Sequence, residues 1–242
     1  MKRDYQELRQ TAAFRIMLII SVAVMLAATA GISIALSRQS WLKEPAGQPL
    51  LELFISLVLY FLPLLVLLSF IWAFANLPVI KEKVNGNTES LMATPLLPRD
   101  LWLSKSLAIF LPAYIIAIIA SVVVVAVVNL AIILPSTGGL VLPAPALVLG
   151  FGVNPLLFFM LLLFMVLFAL ASNPDIAMAP SFILGFGLMM GMPVGLGMGK
   201  FSLASWDFLL WYLAGTMIFL VVVLCLTRIL TRQNIVLSSK GS

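Results

Sequence analysis

The sequence predicts an all-α integral membrane protein of a single domain spanning 1–242, with six transmembrane helices. Three observations carry that prediction: extreme apolarity, six long apolar runs, and a lopsided distribution of lysine and arginine. Hydrophobic residues make up 63% of the 242 and charged residues 10%, whereas an ordinary soluble domain carries about a quarter charged residues. With a mean hydropathy of +1.18, most of this chain has lipid as its solvent. Crossing about 30 Å of hydrocarbon takes roughly 20 apolar residues at 1.5 Å each. Runs of that kind stand at about 14–36, 50–77, 106–134, 146–171, 176–198 and 206–227. Lipid offers the backbone no partners, so such runs are helices and not isolated strands. The first run is too long for the core of a secretory signal, and no small-residue cleavage site follows it.

Orientation follows from the cationic residues near helix ends. With the N-terminus inside, the inner segments hold Lys2, Arg3, Arg9, Arg15, Lys81, Lys83, Arg99, Lys105, Arg228, Arg232 and Lys240, and the outer ones only Arg38, Lys43 and Lys200. Both termini and the segment 81–105 are therefore expected in the cytoplasm, in a multi-pass protein of the plasma (inner) membrane. The net charge of +5 is the residue of that asymmetry and calls for no nucleic acid. Histidine is absent, which removes histidine acid–base catalysis, Ser-His-Asp triads and most zinc sites. The single cysteine, Cys225, falls in the last run and excludes an intramolecular disulfide.

Along the chain, 2–13 places Tyr5, Leu8 and Ala12 on one face and reads as a short amphipathic helix at the inner interface, with a solvated leader as the alternative. The outer loop 37–49 carries Trp41 among the breakers Pro45 and Pro49. The run 50–77 would measure roughly 42 Å as continuous helix, so it must tilt, kink near Pro63 or project inward. The third run is comparably long, with Pro112 near its inner end and Asn129 near its outer end. Asn154-Pro155 in the fourth frees backbone groups and predicts a local bend. The stretch 185–199 packs six glycines and Pro193, which fits either a break or re-entrant turn, or small-residue faces for close helix packing. Within the runs the ionisable residues are Glu52 and Asp207 near outer ends and Arg15 and Arg228 near inner ends. The midplane has none, which disfavours a proton- or sodium-coupled carrier. Asn129 and Asn154 are the candidate polar groups along a substrate pathway.

The segment 81–105, KEKVNGNTESLMATPLLPRDLWLSK, is the longest charge-bearing interruption. Asn85-Gly86-Asn87 is a turn signal and Asn87 a good N-cap. Residues 88–93 then form under two turns of helix, with Glu89 where the dipole favours an anion. Thr94 precedes Pro95, which ends the element. Pro98 suits the first turn of the next helix, and Trp102 and Lys105 suit the membrane interface as anchors. Leu91 and Met92 would face the cytosol unless something covers them.

This pattern, Lys81-Glu82-Lys83, Gly86, Thr88-Glu89, Leu91-Met92, Thr94-Pro95 and Lys105, closely resembles that of permeases of type-2 ATP-binding cassette (ABC) exporters. There an acidic-basic stretch precedes Gly-Thr-Glu, two apolar residues, Thr/Ser-Pro and a lysine opening the third span. This chain departs by inserting Asn87 between Gly86 and Thr88, which shifts the expected cap by one residue. The resemblance implies a cytoplasmic coupling helix between spans 2 and 3, seated in a groove of a separate cassette ATPase subunit. Glu82, Gly86, Thr88, Glu89, Leu91, Met92, Thr94 and Pro95 would form that contact, with Leu91 and Met92 as apolar anchors. It further implies a second permease subunit, as homo- or heterodimer, and export of a lipophilic, amphipathic or peptide-like substrate.

No GxxxxGK[ST] phosphate loop occurs in the sequence. The chain is thus expected to be no enzyme by itself and to bind no cofactor, ATP and magnesium residing on the partner. The rival readings are a non-transport scaffold of an envelope assembly complex and a secondary carrier or channel. The carrier would require midplane charges or inverted repeats, and neither is present in the sequence.

Overall fold

The structure, a computed structural model, describes residues 12–39, 47–74, 97–171, 174–231 and 233–235. Among these residues the regular elements are all helical. Five helices are long and apolar enough to cross a membrane: α1 (Ala12–Ser37), α2 (Gln48–Phe74), α3 (Pro98–Thr137), α4 (Ala144–Ala171) and α6 (Trp206–Leu226). Between the last two stands α5 (Pro174–Gly197), helical over 24 residues, on which the fifth predicted run falls. Of the expected interfacial helix 2–13, residues 12 and 13 belong to α1; the rest of it, and the expected short helix at 88–93, lie outside the described residues.

The helices follow the apolar runs because each run supplies its own backbone partners. Two places bear on the predicted boundaries. The third apolar run starts at 106, but the helix that carries it, α3, begins at Pro98, as the proline's fitness for a first turn predicts; Leu97 is extended (φ −78°, ψ 139°) and Pro98 enters the first turn with Asp100 beside it. A proline there gives up an N–H that has no helical partner anyway. The glycine-rich stretch does not break: α5 runs through Pro193 to Gly197. It closes with Gly199 at φ +65°, the Gly199 N–H bonding to Leu196 O at 2.9 Å and the Lys200 N–H to Gly195 O at 3.0 Å. That paired left-handed closure suits glycine, which lacks the Cβ that would clash. At the start of α6, Ser205 Oγ accepts from the Phe208 N–H at 3.3 Å, a side-chain N-cap.

Two ends of the bundle are distinguished below: distal, at the connection between Thr137 and Ala144, and proximal, at Pro98 and Ala171. At its centre lie α2, α3 and α4, with α2 and α3 making the most extensive packing of any pair. α1 rests on α3 and α2, and α5 and α6 rest on α4. The larger core gathers Tyr60, Phe70, Phe158, Leu162 and Leu167. A second core, towards the distal end, gathers Leu51, Ile55, Leu59, Val124, Val128 and Ile133. α6 buries Leu209, Thr216 and Val223, one residue every seventh position, so it touches the bundle along a narrow stripe. Trp211, at 80% exposure, and Ile218, at 67%, look away from the bundle.

Serine and threonine inside these helices turn their hydroxyls back on their own backbone, as at Ser56 Oγ to Glu52 O (2.6 Å), Ser106 Oγ to Trp102 O (2.9 Å), Ser121 Oγ to Ala117 O (2.8 Å) and Thr216 Oγ1 to Tyr212 O (2.9 Å). Such bonds satisfy a hydroxyl where no water is available.

The helices α3 and α4 each contain one π-helical turn, at Asn129–Ile133 and Leu149–Val153. Each turn ends two positions before a proline, Pro135 and Pro155 respectively. A proline ring collides with the carbonyl four residues earlier and supplies no N–H to it, and a wider turn swings that carbonyl aside. In the second turn, Gly150 abuts the Leu59 carbonyl of α2 so closely that any Cβ would collide with it. Gly152, two residues on, has open space at its Cβ position.

These two glycines make a matched test. Gly150→Ala should destabilise the protein by about 1–3 kcal/mol through overpacking, lowering the thermal unfolding midpoint in detergent. Gly152→Ala should leave it level or raise it, since alanine costs less than glycine in helix. Equal midpoints for the two variants would contradict the close α2–α4 approach.

Candidate functional site

The residues expected to seat a partner ATPase, Glu82, Gly86, Thr88, Glu89, Leu91, Met92, Thr94 and Pro95, lie outside the described residues. What flanks them is described. The described part of α2 ends at Phe74 and α3 begins at Pro98, so the segment connects the two most extensively packed helices. Trp102 and Lys105, expected as interface anchors, are buried within the protein, at 3% and 5% exposure. The Trp102 indole N–H donates to Leu163 O of α4 at 2.7 Å. The root of α3 is thereby fastened to α4.

Deeper in the bundle, α2, α3 and α4 are tied at one level by polar contacts that lie beside Pro63 and Pro155. Pro155 leaves the Phe151 carbonyl without its usual donor, and the Tyr114 hydroxyl of α3 donates to that oxygen at 2.9 Å. Pro63 does the same to the Leu59 carbonyl, which lies against Gly150. The next carbonyl along α2, that of Tyr60, accepts from Asn154 Nδ2 at 3.2 Å. The Tyr60 hydroxyl in turn donates to Leu188 O of α5 at 3.5 Å. Its ring meets that of Tyr212, from α6, edge to face at 6.4 Å between centroids.

Two buried polar atoms in this node have no hydrogen-bond partner: Asn154 Oδ1 and the Tyr212 hydroxyl. The Tyr212 hydroxyl faces that of Tyr60 but falls short of hydrogen-bond geometry. A carbonyl can only accept, so contact with Tyr60 O fixes the Asn154 amide with Nδ2 towards α2 and leaves Oδ1 open. Each unmade bond costs about 1–3 kcal/mol in a dry interior. The node therefore offers one acceptor and one hydroxyl, without charge, to a neutral polar group or a water molecule.

Asn129, the other pathway candidate, has a partner at each of its two polar atoms. Its Nδ2 donates to Val125 O at 3.1 Å, and its Oδ1 accepts from the Val141 N–H at 2.8 Å. It thus holds the distal connection down onto α3. The structure does not bring the two asparagines together: Asn129 lines the distal core and Asn154 the central node. The charged candidates Glu52, Asp207, Arg15 and Arg228 are exposed and stand near helix ends. Among the described residues, no three of Asp, Glu, His or Cys gather as a metal site would require.

Sequence reasoning singled out Asn154 and Pro155 but missed Tyr60, Tyr114, Tyr212 and Gly150. The available signal was the prolines themselves: each frees a carbonyl four residues back, and a buried tyrosine or amide is the natural donor to it. No protein-family model, no curated protein and no solved structure matches the chain.

The node is tested by removing one hydroxyl that has a partner and one that has none. Tyr114→Phe strips the Phe151 carbonyl of its donor and should cost about 1–3 kcal/mol. Tyr212→Phe removes an unsatisfied hydroxyl and should be neutral or stabilising. Thermal unfolding in detergent distinguishes them, and an equal loss in both variants would refute this assignment of partners.

Proposed function

We propose that this chain is the membrane permease subunit of an ATP-driven ABC exporter of the type-2 class. It spans the membrane six times with both termini in the cytoplasm. Its segment 81–105 carries the short helix that docks a separate cassette ATPase, with Glu82 and Glu89 at the contact and Leu91 and Met92 as apolar anchors. A second copy, or a related permease, completes the pathway, and the weakly covered α1 and α6 leave ample apolar surface for it. The substrate is lipophilic, amphipathic or peptide-like, because no charged side chain stands in the middle of the spans.

The observation that carries this reading is where the polar segment is rooted. It joins α2 to α3, the pair with the most extensive mutual packing. A push on the segment is delivered to a stiff two-helix lever, and the lever is bonded to α4 at Trp102–Leu163, Tyr114–Phe151 and Tyr60–Asn154. Packed cores of this kind move as bodies between discrete arrangements. ATP-driven closure of two ATPase subunits would draw the two docking helices together and rock the spans between states. For this to work, the motor must contact the two states differently, which a rigid element on a long lever permits.

The purified chain should hydrolyse no ATP on its own and should co-purify with a soluble cassette ATPase whose turnover it alters. Glu89→Lys and Leu91→Asp should each detach or uncouple that subunit while leaving the permease folded. If neither substitution changes association, turnover or transport, the docking assignment fails.

A further inference from the structure

The second π turn, Leu149–Val153 of α4, redistributes its hydrogen bonds in a way that leaves one carbonyl short. The Asn154 N–H, which in a regular helix would bond to Gly150 O, bonds instead to Leu149 O. Pro155, the next residue, has no N–H to offer. The following turn therefore sends no donor to the Gly150 carbonyl. One position on, the Phe151 carbonyl has lost its donor to Pro155 and is held by the Tyr114 hydroxyl of α3 at 2.9 Å. Beside them Asn154 Oδ1 is buried without a partner. We propose that this turn is a two-position switch, passing between the π register described above and a regular α register, and that Tyr114 is the latch that holds the first.

Neither register satisfies every group, and that keeps the two comparable in free energy. In the π register Leu149 O and Phe151 O have donors, while Gly150 O has none from the following turn. In the α register the Asn154 N–H returns to Gly150 O and the Val153 N–H serves Leu149 O, as in any α-helix. The Phe151 carbonyl is then pressed against the Pro155 ring and drawn away from Tyr114. One register has an open carbonyl and the other a crowded one. The Tyr114 bond tips the balance towards the π register.

The movement has a defined amplitude. Closing the π turn removes an offset of one residue, so the distal part, Ala144–Val148, turns by about 100° and α4 lengthens by about 1.5 Å. The turn has the freedom to do this. Gly152 lies in it with nothing within 4 Å of its Cβ position, so close packing does not account for that glycine, whereas a pliable backbone does. Gly150 differs, because it sits against the Leu59 carbonyl of α2. That contact belongs to the π register, so the switch also sets how closely α2 and α4 approach. Single π turns inside α-helices occur frequently at functional sites, and elements with two discrete packings are the units of conformational transitions. The inference rests on the hydrogen bonding of α4 and not on the permease reading.

The test places a trifluoromethyl tag on Val148→Cys, at a half-exposed position of the turning part, in a Cys225→Ser background. The full chain is reconstituted in phospholipid nanodiscs and its fluorine spectrum recorded, with a tag on Ile218→Cys of α6 as the reference. Pro155→Ala, which returns an N–H to the turn and removes the crowding ring, should move most of the Val148 intensity to a second signal. Tyr114→Phe, which releases the latch, should raise that same second signal severalfold. The Ile218 signal should stay in place in both. A Val148 signal unmoved in Pro155→Ala would overturn the switch. Movement in Pro155→Ala but not in Tyr114→Phe would overturn the latch, and shifts of both tags together would replace the switch with a general loosening. Should Pro155→Ala fail to fold, Tyr114→Phe decides alone, and an unmoved signal there overturns the proposal.

Discussion

Inside lipid, a backbone carbonyl without a donor costs a helix several kcal/mol, and this chain places prolines where they create several such carbonyls. Contacts at the centre of the bundle gather around these positions. Tyr114 reaches from α3 to the Phe151 carbonyl that Pro155 leaves open. Asn154 reaches from α4 to Tyr60 O, one residue beyond the carbonyl that Pro63 leaves open. Gly150 gives up its side chain so that α4 can lie directly on that carbonyl. These contacts fix the relative height of α2, α3 and α4, which nearly featureless apolar surfaces would not do. Hydrophobic burial alone cannot set register between helices in a membrane, because lipid is as apolar as leucine.

The same contacts join the proximal end of the bundle to its middle. Trp102 fastens the proximal part of α3 to α4, and the proline-linked node fastens both to α2 farther along. A polar segment rooted in α2 and α3 is therefore rooted in the whole centre. The peripheral helices are different: α6 is held along one stripe and α1 is mostly uncovered. The centre is thus closely tied and the flanks loosely covered, an arrangement on which the proposed permease reading draws.

Much of the fold was legible in the sequence because the membrane reduces the problem to length and apolarity. Each predicted run coincides with a helix, and the first proline of α3 marks its start by the same logic that makes proline harmless in a first turn. The glycine-rich stretch was ambiguous, since glycine density alone does not separate a break from a smooth packing face; the helix continues to Gly197. The polar node was only half legible. Asn154-Pro155 announces a bend, but its partners Tyr60 and Tyr114 lie 94 and 37 residues away from Asn154 and Phe151 in the chain, and no local pattern links them. Trp102 adds a contact that no local pattern announces: its indole N–H donates to the Leu163 carbonyl of α4, 61 residues away.

The docking of a separate motor is the central functional claim, and it hinges on one side chain that the sequence sets out for contact. Met92→Cys, carrying a short bifunctional crosslinker, is the most direct probe of it in membranes that contain a cassette ATPase. Docking predicts a specific adduct with the ATPase, its yield changing when ATP drives the ATPases together. An adduct formed only with lipid or with the permease itself, and indifferent to ATP, would contradict it.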